Sequence, residues 1–173
     1  SNKQRKQTVA AGVGDSLVDL SVRLDSLGLE TVELRPIVIS SDEGLDILRH
    51  STAHLMAKAV LDIYGPDMKV AIGPSIEDGF YYDFDRDKPF TPEDFEAIEA
   101  KMLETVRGGL PFEREVVSKA DAIELFEKKG ENYKVELLKE IEGDTVSLYQ
   151  LGDFVDVKIV AATEHDLIAK PID

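Results

Sequence analysis

The sequence predicts an α+β fold, with a mixed or antiparallel sheet packed by a few helices behind a small β-rich N-terminal segment. Three observations predict it. Apolar residues recur at helical spacing in three blocks, each bounded by cap residues and glycine. Short runs rich in Val, Ile, Phe and Tyr lie between those blocks, broken by Gly and Pro. At 173 residues, 43% of them hydrophobic, the chain is long enough for one well-packed domain or two small ones.

Residues 1–8 are polar and basic, and read as a disordered lead in which Ser1-Asn2 is an expression scar. From Val9 to Val38, short apolar runs are broken by Gly12, Gly14, Gly28 and Pro36, which predicts small strands and turns. Ser40, Ser41 and Asp42 offer N-caps for the first long helix, and Ser40-x-x-Glu43 fits a capping box. Leu45, Leu48, Leu55, Met56, Ala59, Val60 and Ile63 recur along that helix, and Gly65-Pro66 stops it. Lys69–Ile72 reads as a strand, and Ile76–Phe84 as a turn at Asp78-Gly79 followed by an aromatic strand.

Thr91-Pro92 opens a second helix, with Phe95, Ile98, Met102, Leu103 and Val106 on its apolar face and Gly108-Gly109 at its end. Phe112–Val117 is a strand. Ser118 caps a third helix that runs to Lys129 and closes at Gly130. Tyr133–Leu138 is short and ambiguous. Val146–Tyr149 and Phe154–Val160 read as two strands around Gly152.

Composition narrows function. Cysteine is absent, which removes thiol nucleophiles, disulfides and thiolate metal sites and fits a cytoplasmic chain. No apolar run approaches the length of a bilayer span and no signal-peptide pattern opens the sequence, so no membrane partner is expected. The net charge of −15 disfavours broad, nonspecific nucleic-acid binding. It leaves room for contact with one end of an RNA through a local positive pocket.

Two of the three histidines, His50 and His54, stand four residues apart on the first helix, so both rings face one side. Imidazole moves protons near neutral pH and ligates metals. In an arbitrary helix such a pair is more often simple packing. His-Ser-Thr-Ala-His carries no glutamate to act as a metalloprotease base, and two nitrogens fall short of the three or four ligands of a stable zinc site. No tightly bound metal and no cofactor are expected.

Several ordered blocks resemble the N-terminal editing domain of the threonyl-tRNA synthetases: His50-Ser-Thr-Ala-His54, Ile72-Gly-Pro-Ser-Ile-Glu-Asp-Gly-Phe-Tyr-Tyr-Asp83, Gly130-Glu-Asn-Tyr-Lys-Val135 and Leu148-Tyr-Gln-Leu-Gly-Asp-Phe-Val-Asp156. Residues 9–39 resemble part of the small TGS domain that precedes editing in that family, and residues 40–157 the editing domain. The alanyl-tRNA editing proteins share the paired-histidine helix, but Gly79–Asp83 and the TGS-like lead fit the threonyl family better. The resemblance implies hydrolysis of seryl-tRNA(Thr), with the tRNA acceptor end and the rest of a synthetase as partners. It implies that His50 and His54 orient water and the terminal ribose, and that Lys134 supplies electrostatic stabilisation or activates water. It further implies that Asp156 holds the substrate ammonium and that Tyr81 or Tyr82 lines the serine pocket, with strand alternation turning only one of them inward.

The pattern departs from the family after Val157. Lys158 stands where a cysteine is expected and Ala162 where a histidine is expected; His165 lies three residues further on, and residues 158–173 form a divergent tail. That departure motivates an alternative, a catalytically impaired domain acting only as an acceptor-end or structural module. A metal-dependent hydrolase of another class is the third alternative.

Overall fold

The computed structural model describes residues 2–157 except 29, 30, 32, 66, 67, 72 and 74. Lys158, Ala162, His165 and the rest of the tail lie outside the described residues.

The chain opens with helix α1 (Asn2–Gln7) where the sequence predicts a disordered lead. Strands β1 (Thr8–Val13), β2 (Ser16–Val18) and β3 (Leu34–Val38) form an antiparallel sheet in the order β2-β1-β3. A register shift between Thr8 and Ala10 lets the successive residues Val9 and Ala10 both be buried. Val9, Ala10 and Ile37 close on Ile47 of helix α2 (Asp42–Tyr64).

Helix α2 is the central element. Its N-cap is Ser41, whose hydroxyl accepts from the Gly44 N–H at 3.1 Å, in place of the predicted Ser40–Glu43 box. Close packing selects that position: a β-carbon at Gly44 would stand 2.0 Å from the Val38 carbonyl oxygen, so only glycine fits there. Glu43 turns instead to Arg35 of β3, at 2.7 Å. Ala53, Ala57 and Ala59 are fully buried, and their small side chains let neighbouring elements approach from several sides.

After α2 come the short strands β4 (Lys69–Val70), β5 (Ser75–Ile76), β6 (Gly79–Phe80) and β7 (Phe84–Asp85), paired antiparallel as β4 with β7 and β5 with β6. The β5–β6 turn falls at Glu77-Asp78, one residue before the predicted position. Helix α3 (Pro92–Arg107) has Thr91 at its N-cap, with Asp94 accepting from the Thr91 N–H at 2.7 Å, and packs Ile98 against Ala59 and Val60 of α2.

Strand β8 (Phe112–Ser118) leads through the Ser118 N-cap into helix α4 (Lys119–Lys129), followed by helix α5 (Asn132–Glu140) over the ambiguous segment. Strands β9 (Thr145–Leu151) and β10 (Phe154–Val157) complete an antiparallel sheet in the order β10-β9-β8. Phe126 of α4 and Leu138 of α5 pack on Val146, Leu148 and Val157 of that sheet. The result is α+β, with several small antiparallel sheets rather than one continuous sheet. Among the described residues no helix is long and apolar enough to cross a membrane.

Candidate active site

Helix α2 turns both histidines inward, and His50 and His54 are buried. The i, i+4 spacing brings their ring centroids to 4.3 Å, with the planes tilted 54° to each other. Tyr149 of β9 sets its ring edge-on to both, at 5.0 Å from His50 and 5.8 Å from His54. Phe154 of β10 lies edge-on to His54 at 5.9 Å.

Asp156 joins this helix face to the rest of the molecule. Its Oδ2 lies 3.4 Å from His54 Nε2 and accepts a hydrogen bond from the Tyr82 hydroxyl. Its Oδ1 accepts from the Val157 N–H at 2.8 Å and lies 3.3 Å from Lys134 Nζ. Burial is the largest single influence on this carboxyl and raises its pKa. The Lys134 ammonium, His54, the Tyr82 hydroxyl and the Val157 N–H together outweigh burial, and Asp156 is held below the usual carboxylate range.

Lys134, on α5, is fully buried at 0% exposure. Its Nζ lies 2.6 Å from Glu131 Oε2 and donates to the Val155 carbonyl at 3.0 Å. The same ammonium stands 5.0 Å from the Phe126 ring centroid and 5.1 Å from that of Phe154, a cation–π arrangement. A charge withdrawn from water is tolerable only when paired and hydrogen-bonded, and this one has both kinds of partner.

Of the two candidate tyrosines, Tyr82 faces inward and Tyr81 is 48% exposed and outside the cluster. Burial first, then the nearby charges of Asp156 and Glu131, push the Tyr82 phenol well above its ordinary pKa, so it stays a proton donor at neutral pH. Five of the six sequence-predicted residues, His50, His54, Tyr82, Lys134 and Asp156, therefore meet in one buried cluster.

Sequence reasoning did not single out Tyr149 or Glu131. Tyr149 was within reach of a pairing argument: a hairpin turning at Gly152 sets Tyr149 opposite Asp156, as the β9–β10 register has it. Glu131 stands three residues before Lys134, a spacing that brings helical side chains together.

A cavity of about 420 Å³ adjoins the cluster through Glu131, Phe154 and Val155. Lys58, Lys69 and Lys129 line it as well. Lys58 is held by Asp62 at 3.0 Å and Asp153 at 2.7 Å. Among the described residues no group of three or more His, Asp or Glu side chains is gathered to hold a metal.

The fold and this cluster define an α+β domain with a buried imidazole, carboxylate, ammonium and phenol on one site. No protein-family profile matches the chain. It is similar to the threonine–tRNA ligase of Maridesulfovibrio salexigens, 51% identical over 157 residues, which cover 91% of this chain and 24% of that protein. The corresponding enzyme of Lawsonia intracellularis is 46% identical over 90% of the chain, and that of Nitratidesulfovibrio vulgaris 49% identical over 91%; each is covered to 24% of its length. The chain is a homologue of the threonine–tRNA ligases, and it spans about a quarter of the length of these relatives.

Proposed function

We propose that this chain is the N-terminal editing part of a threonine–tRNA ligase and hydrolyses the ester of seryl-tRNA(Thr). Residues 9–39 would be the partial TGS-like segment and residues 40–157 the editing domain. The observation that supports the reading best is the convergence of His54, Tyr82, Lys134 and Asp156, from four separate parts of the chain, at one buried carboxylate.

The physical need for such a site is clear. Serine lacks only a methyl of threonine, and one such group gives only about 1–3 kcal/mol of discrimination at a synthetic site. A second site reverses the sense of the sieve, admitting serine and excluding the threonine methyl by size. Water then attacks the ester carbon, its proton is carried away, and the ribose oxygen leaves with a proton.

In this reading Asp156 pairs with the substrate α-ammonium. The Lys134 ammonium stabilises negative charge on the ester oxygen as it develops. His50 and His54 orient the water and the terminal ribose, whose neighbouring hydroxyl carries the proton. Tyr82 borders the serine pocket. The partners would be the tRNA acceptor end and the remainder of the synthetase, in the cytoplasm, and no step calls on a cofactor.

The test is deacylation of seryl-tRNA(Thr) by the purified chain, with threonyl-tRNA(Thr) as control. Selective loss of the seryl ester, reduced roughly 100-fold or more by His50→Ala and by Lys134→Ala, is the expected result. Hydrolysis indifferent to both substitutions sinks the assigned roles. Lys158 and Ala162 favour a second reading, a binding module without turnover. A rise in turnover on changing Lys158→Cys together with Ala162→His would identify that state.

A further inference from the structure

Asp156 can counter a substrate ammonium only to the extent that its charge is not spent on Lys134, and it shares that lysine with a second carboxylate. Lys134 has two carboxylates within reach, and it sits closer to the one remote from the histidines. Nζ is 2.6 Å from Glu131 and 3.3 Å from Asp156. Two buried or half-buried carboxylates thus share one lysine. A carboxylate offers about four acceptor positions; on Asp156 the Tyr82 hydroxyl and the Val157 N–H take two of them.

Glu131 is fixed where it stands. Gly130, in the left-handed conformation at φ 69°, closes α4 and turns the chain. The Glu131 N–H then bonds back to Phe126 O at 3.0 Å, and its own carbonyl accepts from the Lys134 N–H at 3.1 Å. On one side Lys69 Nζ donates to Gly130 O at 3.2 Å; on the other the Tyr133 hydroxyl donates to Asp85 at 2.9 Å. These bonds hold the turn against β4 and β7, so the Glu131 carboxylate is presented to Lys134 by a braced loop.

We propose that Glu131 is a positioning and specificity residue of this site. It takes the nearer share of the Lys134 ammonium and so leaves Asp156 with charge to offer the free α-ammonium of the aminoacyl ester. This rests on the hydrolytic reading above. The site then prefers an ester with a free α-amine to the same ester acylated on nitrogen, and the preference belongs to Glu131 as much as to Asp156.

The experiment compares seryl-tRNA(Thr) with N-acetylseryl-tRNA(Thr) in the native chain and in Glu131→Gln. The native chain is expected to show a KM about tenfold or more lower for the free-amine ester, the usual scale of one charge-assisted contact. In Glu131→Gln that KM rises to meet the N-acetyl value while kcat stays within about threefold. A free-amine preference that survives Glu131→Gln intact overturns the proposal. Calorimetric binding of a non-hydrolysable 3′-serylamino-3′-deoxyadenosine and its N-acetyl form separates the two readings. If the native chain turns over no ester yet binds the free-amine analogue preferentially, and Glu131→Gln loses that preference, the role of Glu131 stands and the hydrolytic reading falls. If the native chain hydrolyses seryl-tRNA(Thr) but shows no free-amine preference in either assay, the role of Glu131 falls and the hydrolytic reading stands. Should Glu131→Gln fail to fold, Glu131→Asp, which keeps the charge on a shorter arm, is expected to show an intermediate preference; an undiminished one overturns the proposal.

Discussion

Gly73 lies against the ring of Tyr82 so closely that a β-carbon at position 73 would stand 2.0 Å from Tyr82 Cδ2. Tyr82 belongs to one packed cluster with Ala53, Ala57, Val70 and Phe154 and stacks on Phe84 at 5.3 Å, so its ring has little room to retreat. Gly73→Ala is therefore expected to force Tyr82 out of register with Asp156. Overpacking of this kind costs about 1–3 kcal/mol, which is roughly 2–12 °C of melting temperature in a domain of this size. Calorimetry on Gly73→Ala, paired with the ester assay, checks it: a variant that melts like the native chain and keeps full activity contradicts the seating of Tyr82.

Asp156 carries a pH dependence whose sign follows from its environment. Its folded-state pKa is depressed, despite the upward push of burial, by Lys134, His54, Tyr82 and Val157. Its contribution to stability is therefore fully present above the unfolded carboxyl value of about 3.9, and is lost as pH falls through the lower folded value. Asp156→Asn is expected to cost about 3 kcal/mol at pH 7, the scale for removing one member of a buried pair. The gap to the native chain should narrow below about pH 4. Urea unfolding of both proteins between pH 3 and 7 measures it, and a gap constant with pH would refute the assignment.

Two buried lysines should respond differently to the same substitution. Lys58 braces the β9–β10 turn through Asp153, whose side chain is 87% exposed, and Asp62. Lys58→Met is expected to cost about 1 kcal/mol, because a solvent-facing partner re-hydrates easily. Lys134→Met leaves two carboxylates around an apolar side chain and is expected to cost about 3–5 kcal/mol. Denaturant midpoints rank the pair, and equal losses would show that burial of the partner carboxylates does not matter here.

At the start of α3, Asp94 is pulled down to about 2, first by the Tyr64 hydroxyl, then by the Thr91 N–H and Arg86, against the upward push of desolvation. Tyr64→Phe removes the leading contribution. Carbon-detected NMR should find the Asp94 carboxyl titrating near 2 in the native chain and closer to the ordinary value in Tyr64→Phe. The stability this carboxylate contributes should fall away as pH drops from the unfolded value of about 3.9 through that low value.

Much of this was legible in the sequence where chemistry is local. The long helices announce themselves through caps, periodic apolar residues and terminal glycines, and the paired histidines need only the 3.6-residue repeat to be set on one face. What was not legible depended on contacts between distant segments. Ser41 was among the N-caps offered, but the Ser40–Glu43 box did not form, because Gly44 meets the Val38 backbone. Helix α5 has no capping side chain at Glu131, and its helicity rests on burying Lys134, Val135 and Leu138. At the site only Tyr82 of the two tyrosines lies inside, but residues 81–83 form no strand, so pleat alternation is not what turns it inward. Glu131 was not singled out, because its pairing depends on Lys134 being wholly buried beside it.

The packing of α2 has a mechanical consequence. The small sheet of β1, β2 and β3 clamps the first turns of α2 through Ile47, Gly44 and the Arg35–Glu43 pair. The same rod then runs past the imidazoles to its contacts with α3 near its far end, about 35 Å from its start. Between Gly44 and Gly65 that helix contains no glycine or proline, so the small sheet and the histidine pair are joined by one uninterrupted stretch of backbone hydrogen bonds.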